Sequence, residues 1–290
     1  MFSLAIVLSP AVLFDIERAN IDSVIFLLLV SAVLMFSNHS KYQLHLIGIS
    51  LIFIAAAFKY FPIAALALIP LSLEKEKKPI LISVLTFLFF LGYLYLNGDT
   101  VLMQWNDPSI RFTSVSFGRN IIPDFFGPRI PYFIAILFSI VTFGIIPIAI
   151  LFGLKPKSIY LAQPLSLNQK LYITGAFIFL ASYLIGNSCD YRLIFLLLLV
   201  PYLLEKDIKA TYDRLLLFLI VMALWANFFH IQLNLMMYTL PANRMIYLPN
   251  VYYIWVDEFI NLTLFCILSI KMIPRLTNAI IGDKLRISFK

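Results

Sequence analysis

The sequence predicts an all-α, polytopic integral membrane protein, and three observations carry that reading. Hydrophobic residues make up 62% of the 290 and charged residues only 13%, against about 25% charged in a soluble domain. The apolar residues come in continuous runs, not in the roughly ten-residue alternating segments of a barrel, so helices are the element that lipid permits here. The charges gather in short clusters between the runs. About ten membrane passages are expected, several of them short or re-entrant, in one transmembrane domain over residues 1–290.

Met1–Phe14 is apolar, contains Ser9-Pro10 and lacks the basic n-region of a secretory leader; it reads as a short pass or the end of a longer one. Asp22–Ser37 reads as a helix, with Asn20 and Asp22 suited to its N-terminal cap. A polar turn at Asn38–Tyr42 leads to a second apolar helix, Gln43–Phe58, then to Lys59–Pro62 and to Ile63–Leu73. Pro62 restricts Phe61 and is tolerated in a first helical turn, so these two runs form either one kinked pass or a hairpin of short helices. Glu74–Lys78 is a charged loop and Pro79–Leu96 a helix, followed by the longest polar stretch, Asn97–Ile130, with Arg111, Arg119 and Arg129. Pro131–Gly153 spans again, with a kink expected at Pro147, and Leu154–Lys170 is a loop. Leu171–Gly186 and Leu193–Leu204 flank a polar cluster, Glu205–Arg214 is a charged loop, and Leu215–Tyr238 spans. After the Thr239–Asn250 loop, Val251–Ile270 is the last pass, with Trp255 as an interfacial anchor and Asp257 and Glu258 placed to cap its start. Residues 271–290 form a basic tail.

The basic residues orient the chain. With the hairpin reading and a cytoplasmic tail, fifteen of the 22 lysines and arginines fall on the cytoplasmic side, twelve of them lysine, as the positive-inside rule asks. Both termini are then cytoplasmic, the membrane is the plasma (inner) membrane, and residues 97–130 form an outer loop. The net charge of +7 is accounted for by this topology and does not call for nucleic acid. The outer set is six arginines and Lys59. Arginine binds phosphate or carboxylate through a planar fork, so this face suits an anionic, hydrophilic headgroup. The alternative is local ion pairing, Glu17 or Asp22 with Arg18 and Asp190 with Arg192.

Three polar clusters fall on this outer side: Asp15–Asp22, Phe58–Pro62 and Asn187–Arg192. An ionisable residue at bilayer depth costs about 2.5–3.5 kcal/mol on insertion scales and marks function by default. Lys59 follows Ala55-Ala56-Ala57-Phe58 with no carboxylate near it in sequence. It either snorkels to the headgroups or meets a lipid-linked phosphate. Cys189 and Cys266 have neither CxxC nor metal spacing, and His39, His45 and His230 form no metal pair. No metal site and no cofactor are expected.

Glu17-Arg18-Ala19-Asn20-Ile21-Asp22 at a helix start resembles the ERGN-x-D signature of glycosyltransferase family 87, with alanine where glycine is usual. Lys59-Tyr60-Phe61-Pro62 is similar to that family's K-x-x-P turn, and Asp190-Tyr191-Arg192-Leu193-Ile194-Phe195-Leu196 to its D-Y-R-L-I-F-L segment. The resemblance covers roughly residues 10–204. It implies a GT-C-like helical bundle that transfers a hexose, mannose among the candidates, from a polyprenyl-phosphate sugar to a glycan or glycolipid acceptor. Membrane lipids are the other partners, and nucleic acid is not one. It implies Lys59 and Arg192 for the donor phosphate, and Arg18, Asn20, Asp22, Asp190 and Tyr191 as further substrate-binding or site-organising groups. In that fold a carboxylate of the first outer loop is the base; the family's first helix and acidic loop have no counterpart upstream of residue 15, and Asp15 and Glu17 are the nearest substitutes. A binding or flippase-like transport protein without chemistry, or a truncated remnant of the enzyme, is the alternative.

Overall fold

The computed structural model describes residues 6–17, 20–37, 42–72, 77–98, 116–118, 132–154, 165–185, 188–205, 211–238 and 248–288. The chain is all-helical apart from one two-residue strand pair. In order come α1 (Pro10–Glu17), α2 (Ile21–Ser37), α3 (Tyr42–Phe58), a 3-10 segment Phe61–Ala67 running into α4 (Leu68–Ser72), and α5 (Lys77–Leu96). Then follow β1 (Ser116–Phe117), α6 (Tyr132–Leu154), α7 (Leu167–Ile185), β2 (Ser188–Cys189), a second 3-10 segment Asp190–Leu199 running into α8 (Val200–Leu203), α9 (Thr211–Tyr238) and α10 (Leu248–Ser288). Among the described residues, Lys78–Leu96 and Trp255–Ile280 are long and apolar enough to cross a membrane, and Pro10–Glu17 with Ile21–Ser37 makes a third if that bent pair is one span.

Helix α7 is the axis of the bundle. Its residues from Tyr172 to Leu180 are all buried, as expected of a helix that is apolar all round. Both 3-10 segments, α2, α4, α8 and α10 pack against it. The sequence reading starts this helix at Leu171 and leaves Lys170 in a cytoplasmic loop; the structure starts it at Leu167. A reciprocal cap explains the difference. The Gln169 amide N–H donates to Ser166 Oγ at 3.2 Å, and the Ser166 N–H donates to Gln169 Oε1 at 2.9 Å, the S-x-x-Q capping box. Lys170 thereby sits in the first turn, 1% exposed, and its Nζ donates to the Phe36 carbonyl at 2.8 Å, one of the acceptors left over at the end of α2.

The structure decides between the kinked pass and the hairpin. Phe53 of α3 lies 5.6 Å from Phe89 of α5, and Tyr60, just beyond α3, lies beside Tyr93. Helices α3 and α5 therefore run parallel, and the chain between them must return: residues 59–72 form the second arm of a hairpin. The 3-10 geometry makes that short arm sufficient. At ~2.0 Å per residue, Phe61–Ala67 advances roughly 14 Å, and α4 adds about 7 Å at 1.5 Å per residue. Twelve residues thus nearly match the ~25 Å of the seventeen-residue α3. Residues 190–203 use the same device, and Phe61 packs edge-on against Phe195 at 5.3 Å.

Helix α10 is longer than the sequence suggests. It begins at Leu248 and continues through the expected tail to Ser288, with Pro274 inside, because Met272, Thr277 and Ala279 still have core to bury against. At the end of the bundle away from residues 20–22, Lys271 donates to Asp213 Oδ1 at 2.6 Å and lies 5.0, 6.0 and 5.3 Å from the ring centres of Tyr172, Tyr202 and Tyr212. This cage ties α10 to α7, α8 and α9. Lys271→Met is expected to lower stability by about 2 kcal/mol, from one charge-assisted hydrogen bond and the ring contacts, read as a drop in thermal midpoint in detergent. An unchanged midpoint would mean the cage is incidental.

Candidate functional site

The tip of the α2–α3 hairpin is where the three sequence clusters meet. Asn20 occupies the N-cap of α2, and its Oδ1 accepts the Asp22 backbone N–H at 3.3 Å, the arrangement that satisfies an orphan amide of the first turn. The Asn20 N–H donates to the Asp15 carbonyl at 3.1 Å, which fixes how α1 leads into α2. Ser23 Oγ donates to Asp15 Oδ2. Asp15 and Asp22 are both 0% exposed, whereas Glu17, at the last position of α1, is exposed.

Lys59 reaches this cap from the end of α3. Its Nζ donates to Asp22 Oδ2 at 2.8 Å and to Asn20 Oδ1 at 3.1 Å. Arg192, in the first turn of the second 3-10 segment, brings Nε to 4.0 Å from the same Asp22 oxygen. Its guanidinium lies 5.2 Å from the centre of the Phe61 ring, a cation–π distance. Phe61 and Phe26 are in turn braced by Phe195, at 5.3 and 6.2 Å. One enclosed carboxylate therefore serves an ammonium and a guanidinium drawn from segments 37 and 170 residues away. The exposures separate the roles: Asp22 is 0% exposed, Lys59 19% and Arg192 21%. The cations face outward and the carboxylate holds them from beneath. At the rim, burial pushes the Tyr60 phenol up from its ordinary value, and neighbouring Tyr93 adds to the shift, so Tyr60 is a neutral donor at physiological pH.

Of the residues singled out from sequence, Asp15, Asn20, Asp22, Lys59 and Arg192 are brought together, and Glu17 stands at their edge. Of Asp190 and Tyr191 only the backbone is described, in the first turn of the Asp190–Leu199 segment. Arg18, Arg111, Arg119, Arg129, Arg244 and His39 lie outside the described residues, as does the His230 side chain. Among the described residues no three His, Cys, Asp or Glu side chains are grouped to hold a metal ion. Asn20, expected as a cap, also bonds Lys59 directly.

Three participants escape the sequence reading. Ser23 is an ordinary polar residue in a first helical turn. Phe61 follows Lys59 by two positions and reads as lipid-facing or packing until Arg192 is set upon it. Glu258 and Asp257 do not cap the start of the last helix: α10 begins ten residues before Glu258. Glu258 is 0% and Asp257 5% exposed. Two adjacent carboxylates inside an apolar helix were the available signal. Glu258 receives the Gly118 N–H at 3.2 and 3.3 Å on its two oxygens. Asn261 Nδ2 donates to Asp257 Oδ1 at 3.2 Å.

No protein-family model matches the chain, and no curated protein or solved structure matches it either.

Proposed function

We propose that this chain is a membrane glycosyltransferase of the GT-C type, moving a hexose from a polyprenyl-phosphate donor to an acceptor at the non-cytoplasmic face. The observation that carries the reading is the outward-facing Lys59–Arg192 pair held from beneath by Asp22. Two cations fixed before the ligand arrives need no reorganisation as charge builds on a leaving phosphate. The apolar flanks of the helices suit a long polyprenyl tail beside that charge. The ten-passage topology with both termini in the cytoplasm belongs to the same proposal, as does the likeness of the three clusters to family 87. Glu17 is the better placed of the two candidate bases, because Asp15 is enclosed and engaged by Ser23.

The enclosure of Asp15 and Asp22 favours one second reading, a lipid-linked-glycan binding or transport protein that needs no base. A transfer assay with the full chain in lipid nanodiscs and a polyprenyl-phosphate hexose separates the two. Lys59→Met and Arg192→Met are each expected to lower transfer about a hundredfold, the typical cost of losing one preorganised charge-stabilising group. Glu17→Gln is expected to abolish transfer while donor binding persists. Donor that binds the parent protein and is never turned over would select the transport reading. Donor binding indifferent to both cation changes would sink the phosphate site itself.

A further inference from the structure

Arg192 is held loosely by the groups it serves. Its Nε is 4.0 Å from Asp22, at the limit of an ion pair, and it belongs to a ten-residue 3-10 segment, a helix type with poor hydrogen-bond geometry that rarely runs so long. Something upstream must fix where that segment begins. Immediately before Asp190, β2 pairs antiparallel with β1, Ser116 opposite Cys189 and Phe117 opposite Ser188. Strand β1 is itself sunk into the bundle: Phe117 is 0% exposed and stacks on Phe179 of α7, 5.7 Å between centres and 3° between planes. The next residue, Gly118, has φ 130°, a conformation side chains disfavour, and its N–H points at both oxygens of Glu258. Tyr183, stacked on Phe265 at 4.6 Å, brings its phenol beside the same carboxylate.

We propose that Glu258 is a positioning residue: its carboxylate holds the Gly118 amide, and the strand pair anchored by that contact sets where Arg192 meets Asp22. This gives the long polar stretch between α5 and α6 a task, that of a strap plugged into α10 at one point and tied to the cation-bearing segment at the next. The inference goes beyond the glycosyltransferase reading and does not depend on it, since position can be measured without turnover.

Glu258→Gln keeps the shape but turns one acceptor oxygen into a donor facing the Gly118 N–H. Gly118→Ala strains the backbone at the same contact. Hydrogen exchange on the full chain in nanodiscs is expected to show uptake over residues 188–193 about tenfold faster in either variant, for the loss of one buried charge-assisted hydrogen bond. Uptake over residues 42–53, at the other end of the bundle, is expected to stay at the parent level. Opposed positions of an antiparallel pair lie within disulfide reach. Oxidised Ser116→Cys, joined to Cys189 with Cys266 replaced by alanine, is therefore expected to restore slow exchange to Glu258→Gln. Unchanged uptake at 188–193, equal acceleration at both ends, or failure of the disulfide to restore protection each overturns the proposal. If Glu258→Gln does not yield folded protein, Gly118→Ala with and without the disulfide decides it.

Discussion

Asp22→Ala is expected to lower the stability of the folded bundle by about 3–5 kcal/mol, the cost of removing one partner from a buried ion pair. The magnitude follows from position more than from Coulomb attraction. Asp22 is 0% exposed, and both Lys59 and Arg192 are about four-fifths enclosed around it. Deleting the carboxylate leaves two cations gathered at one point, with like-charge repulsion in place of a shared counter-ion. Asp22→Asn keeps an acceptor for Lys59 and loses the charge, so a smaller loss, about 1–3 kcal/mol, is expected. Asp22→Leu combined with Lys59→Met should recover part of the single-variant loss, because a buried pair replaced by apolar groups is often tolerated. The check is denaturant unfolding in a lipid mimetic, with donor binding read alongside. If Asp22→Ala stays within about 1 kcal/mol of the parent, the carboxylate is not the anchor of the site.

Gly175→Val is expected to cost about 3 kcal/mol, at the upper end for overpacking a close contact, and to displace the segment that carries Arg192. A Cβ at Gly175 would lie 2.5 Å from Leu199 Cδ1, 2.8 Å from Leu198 Cβ and 2.8 Å from the Phe195 carbonyl oxygen. The leucine methyl can swing away; the other two atoms are tied to backbone. Helix α7 and the Asp190–Leu199 segment would have to part, and a shift there moves Arg192, three residues before Phe195, off Phe61 and Asp22. Gly175→Ala is expected to fall about 1–3 kcal/mol below the parent. Leu199→Ala should rescue it only in part, since the Phe195 carbonyl stays in place. Gly92 on α5 is the control, with nothing within 4 Å of its added Cβ. Gly92→Ala is expected to be neutral, or to gain up to about 1 kcal/mol from helix propensity. Thermal midpoints of the set give the order; a Gly175→Ala variant as stable as Gly92→Ala would mean the two segments are not in the contact described.

The helical class and the three polar clusters were legible in the sequence for one reason: an ionisable side chain among apolar runs is expensive enough to stand out without any knowledge of the fold. The Asn20 cap was legible too, because capping acts between residues two apart. The start of α7 was also written locally, in Ser166 and Gln169, and escaped notice beside the larger apolar pattern. The 3-10 character of residues 61–67 and 190–199 was not. A run that is apolar on every side has no periodicity to distinguish 3.0 from 3.6 residues per turn, and packing against α7 makes the choice.

Chain pattern alone established that this is a helical, membrane-compatible chain whose chemistry gathers in residues 15–22, 59–62 and 187–192. Only the tertiary structure decided which of three nearby acids does what: Asp22 beneath two cations, Asp15 bonded by Ser23, Glu17 in the open. It alone returned the chain at Lys59 as a hairpin and turned Glu258 from a cap into the holder of Gly118. The physical reason is the range of the forces involved. Turn chemistry and hydropathy act between near neighbours and can be read along the chain. A carboxylate's role depends on what encloses it, and that is set by how segments tens to hundreds of residues apart pack side by side.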